Sequence, residues 1–246
     1  MIKIIASDMD DTLLDTLDSK QIEFVAASGR SLISLRDKFG PLADKISFVS
    51  DNGAMVQHMG ETIYSSTIEN EYWSEMALTG LDVKETSVIL IAEDGAYRIS
   101  QIPEHTEKLM NYFGYAKEIQ NIDEVQSKII KATFLSLNHS LENFNDHFNP
   151  KFGDSFNVTF GGAIWVDITN KNVNKGTGLQ ILLDKYNFSP ENLMAFGDYL
   201  NDLEMLMLAG YSYAVDNAHD DLKAVAHEII ENHNDNAVVN KILEMI

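Results

Sequence analysis

The sequence predicts an α/β chain: a doubly wound parallel sheet into which a separate α+β domain is inserted. Three observations carry that expectation. The chain opens with three short apolar runs, IKIIAS, IEFVAAS and ISFVS, each followed at once by polar or glycine residues in DMDDT, GRS and DNGA. Such runs read as parallel strands buried on both faces. From about Glu69 the texture changes to hairpins separated by helices, and after Asn174 single helix and strand patterns alternate again.

Taken in order, SLISLRDKFGP places Leu32, Leu35 and Phe39 at helical spacing and stops at Gly40 and Pro41. AMVQHMGETIYSS reads as a hairpin turning at Met59-Gly60. The insert reads as helix ENEYWSEMALTG, hairpin SVILIAEDGAYRIS turning at Asp94-Gly95, helix PEHTEKLMNYF, strand IIKATFLSL, helix SLENFNDHF and hairpin FNVTFGGAIWVDI turning at Gly161-Gly162. The parallel texture returns with helix KGTGLQILLDKYN, the cap SPEN, strand LMAFGD, helix NDLEMLMLAG, strand YSYAV and helix DDLKAVAHEI. The expected domains are therefore 1–66 with 161–246 as the core and 67–160 as the insert. One connection is short. Only LDTLDSK, Leu14 to Lys20, separates the first motif from the second strand, where a parallel crossover takes about a dozen residues. It reads either as an unusually tight connection or, preferably, as the last turn of a truncated helix, with a stretch expected to be missing between about Thr16 and Leu17.

Composition bounds the function. The 246 residues are 45% hydrophobic, enough to fill a core, and no apolar stretch approaches the roughly 20 residues of a membrane helix. A soluble cytoplasmic protein, monomeric or weakly self-associating, is expected. The absence of cysteine excludes disulfides, thiolate metal sites and cysteine nucleophiles. With a net charge of −20 and arginine only at 30, 36 and 98, the sequence presents no basic face for nucleic acid or anionic membranes. A small anionic substrate remains open, provided that a cation mediates the meeting.

The chemistry concentrates where the predicted strands end, which is where open α/β sheets bind ligands. Asp8 and Asp10 are two apart, so in an extended segment they point the same way. At about 4 Å two carboxylates repel by roughly 4 kcal/mol at an effective dielectric of 20. If Asp198 and Asp202 of GDYLND join them, the cluster requires a cation. An all-oxygen donor set, with seven scattered histidines, favours Mg²⁺ over zinc. Lys175 in VNKGTG stands at a predicted helix start behind the cap Asn174, where its charge opposes the helix dipole. A bound phosphoryl group beside an acidic cluster would explain it. Each motif alone has a plainer reading: Asp8, Asp10 and Thr12 as turn formers, Ser28-Gly29 as a strand-to-helix turn, Asn201-Asp202 as a helix start. Together they fit phosphoryl transfer through a carboxylate. Asp8 would attack phosphorus, Asp10 would handle the proton, and Ser28 and Lys175 would bind the equatorial oxygens.

DMDDTLL, AASGR, VNKGTG and AFGDYLND, in that order, resemble the four motifs of the haloacid dehalogenase superfamily of phosphohydrolases. The insert between the second and third motifs, and the closing YSYAVDNAHDDLKAVA, are similar to the Cof-like branch. The resemblance implies a core carrying a specificity cap, with small phosphate monoesters, sugar phosphates first, as substrates. It makes Asp8 nucleophile and metal ligand, Asp10 acid/base with its carbonyl on the metal, Asp198 a direct ligand of Mg²⁺ and Asp202 a metal or water-shell ligand. Ser28 and Lys175, with Thr12, Gly29 and Asn201, form the expected phosphate-binding set, and Asn52 and Arg30 are expected at the substrate. Asp11 stands where many members have glycine, and the segment after Thr12 lacks the family's usual helix. Lys131, the Gly161-Gly162 turn and Trp165 are candidate specificity residues on the cap. A phosphotransferase or mutase on the same core, and a receiver-like phosphoacceptor, are the alternatives.

Overall fold

The computed structural model describes residues 1–7, 17, 19–99, 102–161, 163–231 and 236–246. Asp8, Asp10, Asp11, Thr12, Thr16 and Gly162 lie outside the described residues, and with them the expected break before Leu17. Two compact units emerge, Met1–Tyr64 with Asn174–Ile246, and Ser65–Val173.

In the first unit β1 (Ile4–Ala6) and β2 (Glu23–Ala27) are parallel neighbours, Ile4 opposite Glu23. Helix α1 (Leu32–Phe39) follows, with Ser31 Oγ accepting from the Ser34 N–H at its start and Gly40, φ 52°, closing it. It buries Leu32, Leu35 and Phe39, as their spacing requires. Next come β3 (Ser47–Ser50), β4 (Met55–His58) and β5 (Glu61–Ser65). β3 is parallel to β2 and antiparallel to β4.

The second unit is a six-stranded sheet. Its elements are α2 (Asn70–Asp82), β6 (Ser87–Ala92), β7 (Gly95–Ile99), α3 (Thr106–Phe113), β8 (Lys117–Glu118), β9 (Ile129–Leu135), β10 (Phe156–Gly161) and β11 (Trp165–Asn170), in sheet order β10-β11-β9-β6-β7-β8. An irregular helical stretch, Ser140–Asn143, Phe144–Phe148 and Asn149–Phe152, replaces the single regular helix expected there. Alternate residues face the helices: Val88, Leu90, Ala132, Phe134, Val166 and Ile168 share one cluster with Trp73, Met76, Phe148 and Phe152. The first hairpin turns at Glu93-Asp94, since Ala92 already pairs with Gly95. Residues 161–173, assigned to the core by the sequence, fall in this unit because β11 pairs with both β10 and β9.

The chain re-enters the first unit through α4 (Lys175–Tyr186), then β12 (Leu193–Gly197), α5 (Leu203–Leu208), β13 (Tyr211–Val215), α6 (Asp220–Val225), β14 (Glu228–Ile230) and α7 (Ala237–Met245). The completed sheet runs β14-β13-β12-β1-β2-β3-β4-β5. One expected element is corrected here. DDLKAVAHEI does not stay helical: Ala226 is extended, the His227 N–H bonds the Ser212 carbonyl, and Glu228–Ile230 joins the sheet beside β13. The sheet edge offers the apolar Ile230 a buried place that helix propensity cannot match. At the other end of α4, the Tyr186 hydroxyl lies 2.8 Å from His58 Nε2, whose Nδ1 is 3.0 Å from Glu23 Oε1 and from Ser47 Oγ. No helix among the described residues is long and apolar enough to cross a membrane.

Candidate active site

The carboxyl ends of β1, β2, β12 and β13 surround a cavity of about 440 Å³ in the first unit. Ser7, Ala27, Ser28, Gly29, Lys175 and Phe196 line it, together with Gly197, Asp198, Asn201, Asp202, Val215 and Val238. The strands fix its position because the chain leaves β1 in one direction across the sheet and β12 in the other, opening a crevice at the reversal.

Ser28 is held by its backbone. Its N–H donates to the Val49 carbonyl at 2.9 Å, its carbonyl accepts from the Asn52 N–H at 3.0 Å, and its Oγ accepts from the Arg30 N–H at 3.2 Å. Asp51, Asn52 and Gly53 all have positive φ, at 51°, 55° and 98°. This tight turn lets the Asn52 Oδ1 accept from Asn201 Nδ2 at 3.1 Å, linking two of the sequence motifs. Gly53 permits the closest approach: a Cβ there would sit 2.1 Å from the Asn174 carbonyl oxygen.

Asn174 in turn starts α4. Its Oδ1 accepts from the Thr177 N–H at 2.8 Å, and its N–H donates to Thr177 Oγ1 at 3.2 Å. That cap sets Lys175 at the first helical position, 6% exposed, with Nζ 2.5 Å from Asp202 Oδ1. The cation at the unfavourable end of the helix dipole is thus met by a carboxylate. The second oxygen of Asp202 accepts from the N–H groups of Asp198, at 3.1 Å, and Tyr199, at 3.4 Å. A one-turn 3₁₀ helix, Leu200–Asp202, turns Asp202 back onto Gly197, where a Cβ would stand 2.6 Å from that of Asp202.

The structure thus brings Ser28, Gly29, Lys175, Asp198, Asn201 and Asp202 together around one cavity, with Asn52 bonded to Asn201. Arg30 is exposed and does not line it; its carbonyl accepts from the Asp51 N–H at 2.9 Å, a backbone role. Asp8, Asp10 and Thr12 are outside the described residues. The strand-end reading that found Asp8 could also have found Ser7, but Val238 reaches the cavity from α7, a helix that no motif announced. Among the candidates of the second unit, Lys131 is buried, 3% exposed, on the sheet face that also bears Thr133 and Asp167, whose side chains bond at 2.7 Å. Trp165 packs against Tyr112 and Phe113 with ring centroids 5.5 and 5.6 Å apart.

Chemically, the cavity offers an ammonium, a hydroxyl and amide groups to anionic oxygens, and two carboxylates to a cation. Among the described residues no group of three or more histidine or acidic side chains gathers as a complete metal site. Asp198 and Asp202 supply hard oxygen donors of the kind that Mg²⁺ takes.

Comparison with known proteins gives the same direction. The family profile of haloacid dehalogenase-like hydrolases matches residues 5–242. The 5-amino-6-(5-phospho-D-ribitylamino)uracil phosphatase YbjI of Escherichia coli is 24% identical over 265 residues, covering 98% of this chain and 95% of that protein. A solved structure from Eubacterium rectale superposes with a TM-score of 0.88 at 28% identity, over 100% of this chain and 99% of the other. The HAD subclass IIB sugar phosphatase BT4131 shares the fold, with a TM-score of 0.78 at 21% identity over 99% and 98%.

Proposed function

The chain belongs to the haloacid dehalogenase-like hydrolases and is a phosphatase of their Cof branch; from that premise we propose that it is a Mg²⁺-dependent phosphatase of small phosphate monoesters acting through an aspartyl-phosphate. The observation that supports this reading is the Lys175–Asp202 ion pair beside Ser28 in one cavity, which suits a phosphate-binding cation next to a metal-binding carboxylate. Sugar phosphates and ribityl-type phosphates lead as substrates, since BT4131 is a sugar phosphatase and YbjI acts on a ribitylamino ester.

In this mechanism the Ser28 hydroxyl, the Gly29 backbone, the Lys175 ammonium and Asn201 hold the equatorial phosphoryl oxygens, with Thr12 beside them. A carboxylate oxygen of Asp8 attacks phosphorus while the ester P–O bond breaks. Asp10 gives its proton to the departing alkoxide and then takes one from the water that attacks the aspartyl-phosphate, releasing phosphate and restoring Asp8. Asp198, Asp202, Asp8 and the Asp10 carbonyl would hold Mg²⁺, which supplies charge neutralisation between the carboxylates and the phosphoryl group. Asn52 steadies Asn201, and Arg30, which does not line the cavity, is given no contact with the ester. The second unit, with Lys131 and Trp165, serves as the specificity cap.

Phosphate release from a panel of esters tests the reading, with Mg²⁺ or chelator, for the native chain and Asp8→Asn. Expected is Mg²⁺-dependent release that Asp8→Asn lowers by at least about a thousandfold. Undiminished turnover by folded Asp8→Asn, or release indifferent to chelator, would refute it.

A further inference from the structure

Part of the cavity wall takes no share in the phosphate chemistry: Phe196, Val215 and Val238 line it as well. In the sheet order β13-β12-β1-β2, Ser28 follows β2, whereas Phe196 belongs to β12 and Val215 ends β13. With about 4.8 Å between neighbouring strands, Val215 stands roughly 14 Å across the sheet from the strand that leads to Ser28. A cavity of about 440 Å³ takes a small organic ligand whole and not its phosphate alone. This apolar wall is built before any ligand arrives. Phe196 is opposite Tyr213 across the β12–β13 ladder, and their rings stack with centroids 5.1 Å apart and planes at 21°. Val215, two residues past Tyr213, projects on the same face of the sheet. Helix α7 covers that face, with Lys241 Nζ 5.3 Å from the centre of the Tyr213 ring and 2.9 Å from Glu228 Oε2 on β14. Val238 precedes Lys241 by three residues, on the same side of the helix, and its neighbour Ala237 is buried with Ile242.

A phosphoryl group held by Ser28 and Lys175 leaves this wall for the rest of the ligand. Hydrocarbon laid against it leaves water, and side chains already packed in place lose little freedom in receiving it. We propose that Val238, with Phe196 and Val215, is a specificity-determining wall for the alcohol part of the phosphate ester. It selects esters with a short hydrocarbon segment next to the phosphate over fully hydroxylated esters of the same length. The proposal rests on the reading of the cavity as a phosphate site. Each methylene that reaches the wall raises affinity by about 2- to 4-fold.

Calorimetric binding of methylphosphonate, n-butylphosphonate and 2,3,4-trihydroxybutylphosphonate to the full chain with Mg²⁺ tests this without requiring turnover. The native chain should prefer the butyl over the methyl compound by about 4- to 16-fold, two methylenes reaching the wall, and the trihydroxybutyl compound should fall back toward the methyl one. Val238→Thr, which keeps the volume and adds a hydroxyl, should lower the butyl-to-methyl ratio at least about twofold, and Val238→Phe, which fills the space, should bring it close to one. Should Val238→Phe fail to fold by circular dichroism, the Val238→Thr ratio decides alone. Equal affinities for butyl and methyl in the native chain, a trihydroxybutyl compound bound as tightly as the butyl one, a ratio unchanged by the substitutions because both ligands weaken equally, or no binding of any of the three would overturn the proposal. Hydrolysis of methyl and n-butyl phosphate is followed in parallel. Chain-length-dependent binding without hydrolysis of either ester would sink the phosphatase mechanism and leave the wall standing, and Mg²⁺-dependent hydrolysis with length-independent binding would do the reverse.

Discussion

Removing one member of the Lys175–Asp202 pair is expected to destabilise the first unit more than removing both. Nζ and Oδ1 are 2.5 Å apart, with side chains only 8% and 6% exposed. At that separation the attraction is about 7 kcal/mol at an effective dielectric of 20. Desolvation offsets several kcal/mol for each ion, so the pair as a whole is close to balanced. Lys175→Met leaves the Asp202 carboxylate with only backbone N–H partners among the bonds described above. Asp202→Asn leaves an ammonium out of water without its counter-charge. Each single change should cost about 3–5 kcal/mol, and Lys175→Met/Asp202→Asn less than either. Thermal unfolding with chelator present reads this apart from metal binding. At about 2–4 °C per kcal/mol the singles should melt roughly 6–20 °C lower, with little dependence on salt. Single losses below about 1 kcal/mol, or a double loss equal to the sum of the two, would show that the pair is not a desolvated ion pair at all.

Burial first, and then the Glu23 carboxylate, push the Tyr186 phenol above its ordinary value of 10.0. The resulting stability is present below pH 10 and lost as pH rises toward the folded value, so Tyr186→Phe should flatten the alkaline limb of a stability-pH curve; an unchanged limb would refute this. His105, 2% exposed, is lowered from 6.5 chiefly by burial, against the opposing charges of Glu104 and Glu85. Its contribution is present above pH 6.5 and lost as pH falls through the folded value, so His105→Gln should reduce the acid slope seen by circular dichroism. Gly178→Ala would place a Cβ 2.5 Å from Val49 Cγ1 and 3.2 Å from Gly53 Cα. The expected loss, about 1–3 kcal/mol in urea unfolding, would be contradicted by a neutral or stabilised variant.

Sequence alone revealed those parts of the fold that local chemistry decides. The apolar runs before Ser28 and Asp51 are strands because nothing but a sheet interior accommodates Phe24, Val25, Phe48 and Val49 so close together. Lys175 announced a partner by standing at the wrong end of a dipole, and Asp202 is that partner. What stayed illegible depends on distant pairing. Glu228–Ile230 follows a helix without a breaker, and only β13 makes it a strand. Trp165–Asn170 changes domain because its partner Phe134 lies far back in the chain.

The way the second unit closes on itself bears on how the chain reaches its native state. Asn170 Nδ2 donates to Ser66 Oγ at 3.0 Å and to the Thr67 carbonyl at 2.9 Å, joining the two ends of that unit. If the first unit folded while Ser65–Val173 was still unstructured, it would have to close a loop of roughly 110 residues, at about 4 kcal/mol of chain entropy. With the second unit already formed and its ends tied, the flexible loop shrinks to about ten residues or fewer and the cost falls by about 2 kcal/mol. The segment that interrupts the core sequence is thus a reason to fold in a particular order: the interruption first, and the sheet that surrounds it in sequence second.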